Sequence, residues 1–520
     1  MLNRPALKGF WPLALILVAL SFLLYSNSLG NAFLYDDEFL IQKNTFLRSW
    51  ESIGDIFSSS STAGAGKTDS FYRPIQAFFY LVVFQFFGLS TTAFHLLNIV
   101  LHSINSVLVF LLGRRLGLPL LASFSGALIW SVHPIHTEAV TYMSGTADPA
   151  HTLFVIAGLI CLIPSFSASR VMFALFFYLL ALMSKESAIV FPALAVACLF
   201  YLREQRWNWR TYLPTWPFWI VALLYLVARK TFLNFDDTFQ FFKTENIYTQ
   251  SVLVRIFTFL ATLPSYLQVL VYPNDLHIDR NFPVFTEIQF APVIGGIIIL
   301  GLLFMAIVLA RKGEKWLLLA WASLWFLASH SPHMGIVIPV NAIFLEHWLY
   351  LTSIGFFICV GYYLNLDGGG NRAKVSRLVL LVIVVVLGWT TWQQNKVWAS
   401  PVSLYSHILK FNPQSARVHN NLAMAYSDLD DVLKSIEHYE KAIALSDVYP
   451  ESHHNLGLAY LRQGRLRDGI GQLEKAVQMN PDFFFSYQYL VHAYQEIGNP
   501  AKADEYRRKY IETRQKFLKE

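Results

Sequence analysis

The chain has 520 residues, of which 55% are hydrophobic, 16% aromatic and 14% charged, with a net charge of +6 and a mean hydropathy of +0.43. Soluble domains carry about 25% charged residues, so most of this sequence belongs in lipid and a soluble enzyme is excluded. The positive balance comes from short basic clusters without a basic face interleaved with aromatics, so no nucleic-acid partner is expected. Cys161, Cys198 and Cys359 lie inside apolar runs, which gives neither a disulfide framework nor a metal-ligand spacing.

Residues 11–30 form an apolar span behind Arg4 and Lys8. They read as a signal anchor with a cytoplasmic N-terminus. A long outer loop, 31–74, follows. In it Asn31-Ala-Phe-Leu-Tyr-Asp-Asp-Glu-Phe39 sets Asp36, Asp37 and Glu38 where a membrane helix meets water. Adjacent carboxylates repel one another and are poorly hydrated there, so their pKa values rise or they recruit a cation. Either outcome suits a general base or a metal-assisted site. The competing reading is that Asp36 only caps a short helix beginning at Glu38. Gly66-Lys67-Thr68 resembles the end of a phosphate-binding loop, but its first glycine is misplaced and no strand precedes it. Residues 75–90 are aromatic and too short to cross, so they are expected to lie along the interface.

Further spans are expected at 92–113, 118–134, 147–163, 171–183, 187–202, 212–229, 291–310, 316–332, 346–363 and 378–392. Arg114-Arg115, Arg203/Arg206/Arg210, Arg311-Lys312/Lys315 and Arg372/Lys374/Arg377 place their loops in the cytoplasm. The segment 252–272 is apolar but holds Pro264 and meets Pro273. Counted as a crossing it returns the C-terminus to the cytoplasm. Counted as re-entrant it leaves about 11 crossings and an external C-terminus.

Ionisable groups inside membrane segments are costly and mark sites, and here they gather on the outer side. His133-Pro-Ile-His-Thr-Glu138 ends one span and Asp148 begins the next. His136 and Glu138, with His133 alongside, are candidates to ligate a metal or position a phosphate. The alternative is that the histidines bond carbonyls freed by Pro134. Lys185-Glu186 joins two short apolar helices, as an ion pair or as a cation for an anionic head group. Arg73 precedes Pro74, where a guanidinium can grip phosphate bidentately. His95 and His102 share one helix face, and His102 reads as a core histidine. Glu346-His347 opens a late span, and His277, Asp279 and Arg280 occupy another outer loop. The convergence suits a reaction on a lipid-linked anionic donor with a carboxylate activating the acceptor. A proton-coupled transporter, the main competitor, would need polar groups on both sides of the midplane and often shows internal repeats; the membrane half shows no such repeat.

From Trp398 the chain becomes polar. Leu422-Ala-Met-Ala-Tyr426 recurs as Leu456-Gly-Leu-Ala-Tyr460 and Leu490-Val-His-Ala-Tyr494, a period of about 34 residues that marks tetratricopeptide repeats. The division expected is a membrane domain, 1–392, and a repeat domain, 393–520, of about three repeats behind a partial one. Their concave groove is expected to hold a polypeptide along Asn420, Asn421, Asn455 and Tyr487; a spacer or dimerisation arm is the other reading.

Tyr35-Asp-Asp37, Tyr72-Arg-Pro74, Phe94-His-Leu-Leu-Asn98 with His102, His133-Pro-Ile-His-Thr-Glu-Ala-Val140, Ser184-Lys-Glu186 and Glu346-His-Trp-Leu-Tyr350, followed by the repeats, resemble the TMTC family of the GT-C glycosyltransferase superfamily. The resemblance implies an all-α chain: a polytopic GT-C-like helix bundle, then a soluble repeat superhelix. It implies transfer of a sugar, mannose in the animal members, from a polyprenyl-phosphate carrier to a serine or threonine hydroxyl of a protein outside the cytoplasm. By the same resemblance Asp36 or Asp37 is the base. Arg73, His95, His133, Lys185, Glu346 and His347 hold the donor phosphate, and a divalent cation (Mg or Mn) is held by His136, Glu138 and Asp148. Inversion follows from one in-line displacement. The short repeat array implies a bacterial relative in the inner membrane, with the repeats binding the acceptor on the extracytoplasmic side. A glycan or lipid acceptor, or a non-catalytic scaffold assembled through the repeats, stays open.

Overall fold

In lipid a helix satisfies all its backbone groups within itself, and the apolar runs fold accordingly. The computed structural model describes residues 9–67, 69–163, 165–231, 245–340, 342–366 and 370–517; Arg4, Lys8 and Thr68 lie outside them. The described residues form helices and turns without a strand. The chain divides into two units, Met1–Ala399 and Ser400–Glu520. The last membrane helix, Gly370–Val397, runs past residue 392, where the sequence reading ended the domain.

In the first unit the expected spans become Phe10–Tyr25, Thr91–Arg115, Leu120–Val132, Ala147–Leu162, Ala168–Ser184, Phe191–Leu202, Trp216–Thr231, Gly295–Leu309, Leu317–His330, Ile354–Tyr363 and Gly370–Val397. Residues 75–90 form the short helix Pro74–Phe87. Among the described residues, seven helical stretches are long and apolar enough to cross a membrane, so this is an integral membrane protein. Helices without a water-driven force between them rely on close approach at small residues. Leu120–Val132 crosses Ile354–Tyr363 so tightly that a Cβ at Gly361 would stand 2.2 Å from the Gly126 nitrogen.

The disputed segment is one unbroken helix, Val252–Val271, with Pro264 inside it. Proline has no N–H for the carbonyl four residues back, and that carbonyl, Leu260, faces Gly296 with room for no side chain between them. Besides packing on Gly295–Leu309 and on Phe326, this helix touches turns along its length. Arg255 Nε donates to Ile336 O at 3.0 Å, and Thr258 Oγ1 accepts from Phe285 N at 3.1 Å. Tyr266 stacks on Phe344 with ring centroids 4.2 Å apart, and Leu270 O lies 3.2 Å from His133 Nε2. The helix therefore lies across the end of the bundle. By length and hydropathy it counts among the seven stretches able to cross a membrane, and it is one continuous helix without a re-entrant reversal.

In the second unit a leading helix, Pro401–Phe411, precedes three helix pairs: Ala416–Asp428 with Val432–Leu445, Pro450–Arg462 with Leu466–Met479, and Phe484–Glu496 with Pro500–Phe517. Leu422, Leu456 and Leu490 are buried at equivalent positions. Polar contacts repeat as well: Tyr460 donates to Glu440 at 2.5 Å and Tyr494 to Glu474 at 2.6 Å. Tyr487, expected in the groove, is instead part of this core. It is buried, donates to Pro481 O at 3.1 Å and stacks on Tyr506, because its register is that of His419 and His453, which turn toward their own partner helices. Asn420 accepts from Ser452 at 3.0 Å and ties two repeats together, while Asn421 and Asn455 are half-buried.

Candidate functional site

The acidic loop leaves the first span through a turn in which Tyr35 adopts a left-handed backbone, φ 46°, a conformation that non-glycine residues occupy only when their surroundings hold them there. A short helix does begin at Glu38, yet neither acid caps it through its side chain. The neighbours are used differently. Asp37 is fully buried. One carboxylate oxygen accepts the Leu34 N–H at 2.8 Å; the other accepts the Ser144 N–H at 2.8 Å and the Ser144 hydroxyl. Burial pushes its pKa up to about 7, against the pull of these donors. Asp36 is exposed, and its N–H donates to the Tyr142 hydroxyl at 2.9 Å. The protein mass around its recess raises its pKa, with Tyr142 and Arg73 opposing the rise. Tyr142 is itself fixed by stacking on Trp398 and by the Asn98 amide on its carbonyl. One carboxylate thus anchors the loop and its neighbour is exposed.

Two cation–acid pairs lie near this loop, Arg73–Glu186 half-buried and Lys185–Asp148 buried. Arg73 grips Glu186 with both arms, Nε to Oε2 at 3.2 Å and Nη2 to Oε1 at 2.8 Å. Lys185 Nζ donates to Asp148 Oδ1 at 2.7 Å with both side chains nearly inaccessible. Lys185 has an extended backbone between Ala168–Ser184 and the turn 186–190. Consecutive side chains on extended backbone point to opposite sides, so adjacent residues reach different partners.

The remaining predicted residues divide into those on this layer and those turned into the core. Glu138 takes both the backbone N–H and the ring of His347, at 2.9 and 2.7 Å. Glu346 accepts from Arg280 at 2.8 Å and from the His277 N–H at 2.7 Å. His95 is buried against the Asn31 carbonyl at 3.3 Å, bracing the start of the acidic loop. His133 has both ring nitrogens engaged by backbone groups, the Ile135 N–H and Leu270 O; the carbonyl belongs to another helix and is not one freed by Pro134. His136 stands between the rings of Trp130 and Tyr350, and His102 bonds Tyr350 and Ser131 as a core histidine.

The cation expected from His136, Glu138 and Asp148 does not fit this arrangement. Glu138 is committed to His347 and Asp148 to Lys185, and no group of three or more potential ligands converges among the described residues. No step below passes through a metal.

Comparison with known proteins bears on this arrangement. Residues 414–480 match the family model "Tetratricopeptide repeat". A protein O-mannosyl-transferase of Caenorhabditis elegans is 25% identical over 457 residues, covering 84% of this chain and 63% of its own length. Human protein O-mannosyl-transferase TMTC4 is 24% identical, covering 84% of this chain and 67% of its own, and mouse TMTC3 is 24% identical, covering 80% and 49%. The chain is similar to the TMTC proteins over most of its own length. It spans between 49% and 67% of the length of these relatives. Among solved structures, ArnT from Cupriavidus metallidurans, bound to undecaprenyl phosphate, aligns over 90% of this chain and 80% of its own with a TM-score of 0.45 and 14% identity.

Sequence reasoning missed several residues at this layer of the chain. Arg229 is buried and donates to Ser70 O at 2.7 Å; an arginine closing an apolar span was the available signal. Ser144, which holds Asp37, had no signal beyond its neighbourhood to Gly145-Thr-Ala-Asp148. His151 and His333 were also passed over, although each is an ionisable group close to a span end.

Proposed function

We propose that this chain is a GT-C type membrane glycosyltransferase that moves a sugar, mannose by analogy with its relatives' names, from a polyprenyl-phosphate donor to a serine or threonine of a polypeptide. The observation that supports it most is the pairing of an exposed carboxylate, Asp36, with a buried anchor, Asp37, beside two cations, Arg73 and Lys185, at one end of a helix bundle. Asp36 accepts the proton of the acceptor hydroxyl. The freed oxygen attacks the anomeric carbon as the carbon–phosphate-oxygen bond breaks, and polyprenyl phosphate leaves with that electron pair. A single displacement inverts the anomeric centre. Arg73 and Lys185 face the charge that develops on the leaving phosphate. We place the reaction outside the cytoplasm of a bacterial inner membrane, with the repeat unit presenting the acceptor.

The test offers purified protein radiolabelled polyprenyl-phosphate sugars with an envelope extract, alongside folded Asp36→Asn. Label in protein from the native chain alone supports the reading. Label in glycan or lipid moves the acceptor while keeping the enzyme. No transfer from any donor, with the variant still assembling its partners, makes the chain a scaffold.

A further inference from the structure

The end of the last membrane helix is bonded into the start of the acidic loop at several points. Asn395, fully buried, accepts the Thr141 hydroxyl at 2.8 Å and donates to Leu24 O and Asn27 Oδ1, each at 2.8 Å. Its own carbonyl accepts from the Asn31 amide at 3.2 Å. Further along, the Ala399 carbonyl accepts the Ala32 N–H at 3.0 Å. Between these two fixed points Trp398 lies on Tyr142, ring centroids 5.4 Å apart at 23°. Trp398 is buried, yet its indole Nε1 has no hydrogen-bond partner among the described residues. Leaving a buried donor unpaired costs folding free energy, so the indole is held here by its face, on Tyr142, and not by its N–H.

Tyr142 in turn meets Asp36. Its hydroxyl accepts the Asp36 N–H at 2.9 Å, which leaves the phenol's own proton to donate, and the Asp36 carboxylate is within its reach. The other charged groups around that carboxylate are Arg73, Lys67, Asp69 and Asp37. Each has its own partner. Arg73 is committed to Glu186, Asp69 to Ser61 and Asp37 to Leu34 and Ser144, while Lys67 stands over the Phe39 ring at 3.2 Å. That leaves Tyr142 as the side chain hydrogen-bonded to Asp36 among the described residues. Since Ser144 anchors Asp37, the short segment from Tyr142 to Ser144 seats both acids.

We propose that Tyr142 and Trp398 are positioning residues for Asp36. The phenol orients the carboxylate and the indole braces the phenol, so the stretch of chain that leads into the repeat unit is part of the catalytic centre. The inference rests on the transferase reading for the role of Asp36, and it adds two residues that no motif assigned to the site. No bond is made or broken at either ring. A carboxylate that must take a hydroxyl proton works only when its oxygen is held toward that hydroxyl, and an exposed side chain has no such hold of its own.

The full-length protein in detergent is treated with a hydrophobic carbodiimide, which modifies protonated carboxyls, across a pH series. Tandem mass spectrometry reads the fraction modified at Asp36. Tyr142→Phe keeps the stack and removes the hydroxyl. Losing a donor to the charged form raises a carboxyl pKa, so half-modification is expected about one pH unit higher than in the native chain. Trp398→Leu should move it the same way by releasing the phenol, and Trp398→Phe should restore the native value. The Tyr142→Phe/Trp398→Leu double variant should move no further than Tyr142→Phe alone. In the transfer assay Tyr142→Phe should lower turnover about tenfold or more, leave the donor KM within about twofold, and carry the acid limb of the pH profile upward with the labelling. Thermal melting identifies the folded variants, and the Trp398→Leu and Trp398→Phe pair reads the same shift should Tyr142→Phe not fold. Native labelling of Asp36 in folded variants overturns the proposal, and additive shifts in the double variant overturn the link through Trp398. A shift in labelling with no sugar transfer by the native chain keeps the positioning and removes the transferase.

Discussion

Asp37→Asn separates the anchor from the base. Burial raises the folded-state pKa of Asp37 from 3.8 to about 7, so the folded protein holds this proton more tightly than the unfolded chain does. The contribution to stability is full below about pH 4 and is lost as pH rises through about 7. About three pKa units at 1.36 kcal/mol each put the loss at roughly 4 kcal/mol. Asparagine is uncharged like the protonated acid but keeps one accepting oxygen, so it retains one of the Leu34 and Ser144 N–H bonds and gives up the other. The assay is thermal melting in detergent from pH 4 to 8, native against Asp37→Asn. The native curve should fall relative to the variant as pH rises, and transfer activity of Asp37→Asn should persist. Asp36→Asn should melt like the native chain while losing about 10²- to 10⁴-fold in turnover. Parallel melting profiles would refute the assignment of a protonated anchor. An inactive Asp37→Asn beside an active Asp36→Asn would exchange the two roles.

Lys185→Met alone should cost about 3–5 kcal/mol, because it strands the buried Asp148 carboxylate, and adding Asp148→Asn should recover most of it; detergent melting curves read both. Gly361→Val should cost about 1–3 kcal/mol or more by overpacking the crossing at Gly126, seen as a lower yield of monodisperse protein. Gln250→Cys and Glu287→Cys, both at exposed positions, should label with an impermeant maleimide from the same side of the membrane. Labelling from opposite sides would show that Val252–Val271 crosses it.

Legibility differed by kind of information. Apolar run lengths were enough to place the membrane helices, and the repeat register emerged from residues such as Leu456 and Tyr460 recurring at fixed spacing. The two acids at 36 and 37 were visible because two charges at a lipid boundary are unusual. Their division of labour was not, since it depends on Ser144, 107 residues away in sequence. Partner choice was equally hidden: Arg73 finds Glu186 across 113 residues and Glu138 finds His347 across 209. Only the packed bundle brings these together, and with them goes the expectation of a cation held by free histidines and acids. Tyr487 misled because a repeat position that turns inward carries the same residue types as one that faces a groove.

The helix Val252–Val271 is the one element whose hydropathy and whose contacts disagree. A topology drawn from hydropathy would count it as a crossing and invert the sidedness of all later loops in the membrane unit. Arg280, His333, Glu346 and His347 would then be assigned to the compartment opposite Asp36, and residues that bond across one layer, such as Glu138 and His347, would be split in two on paper. One helix of 20 residues is enough to scatter such a cluster for any method that assigns loops to compartments by parity.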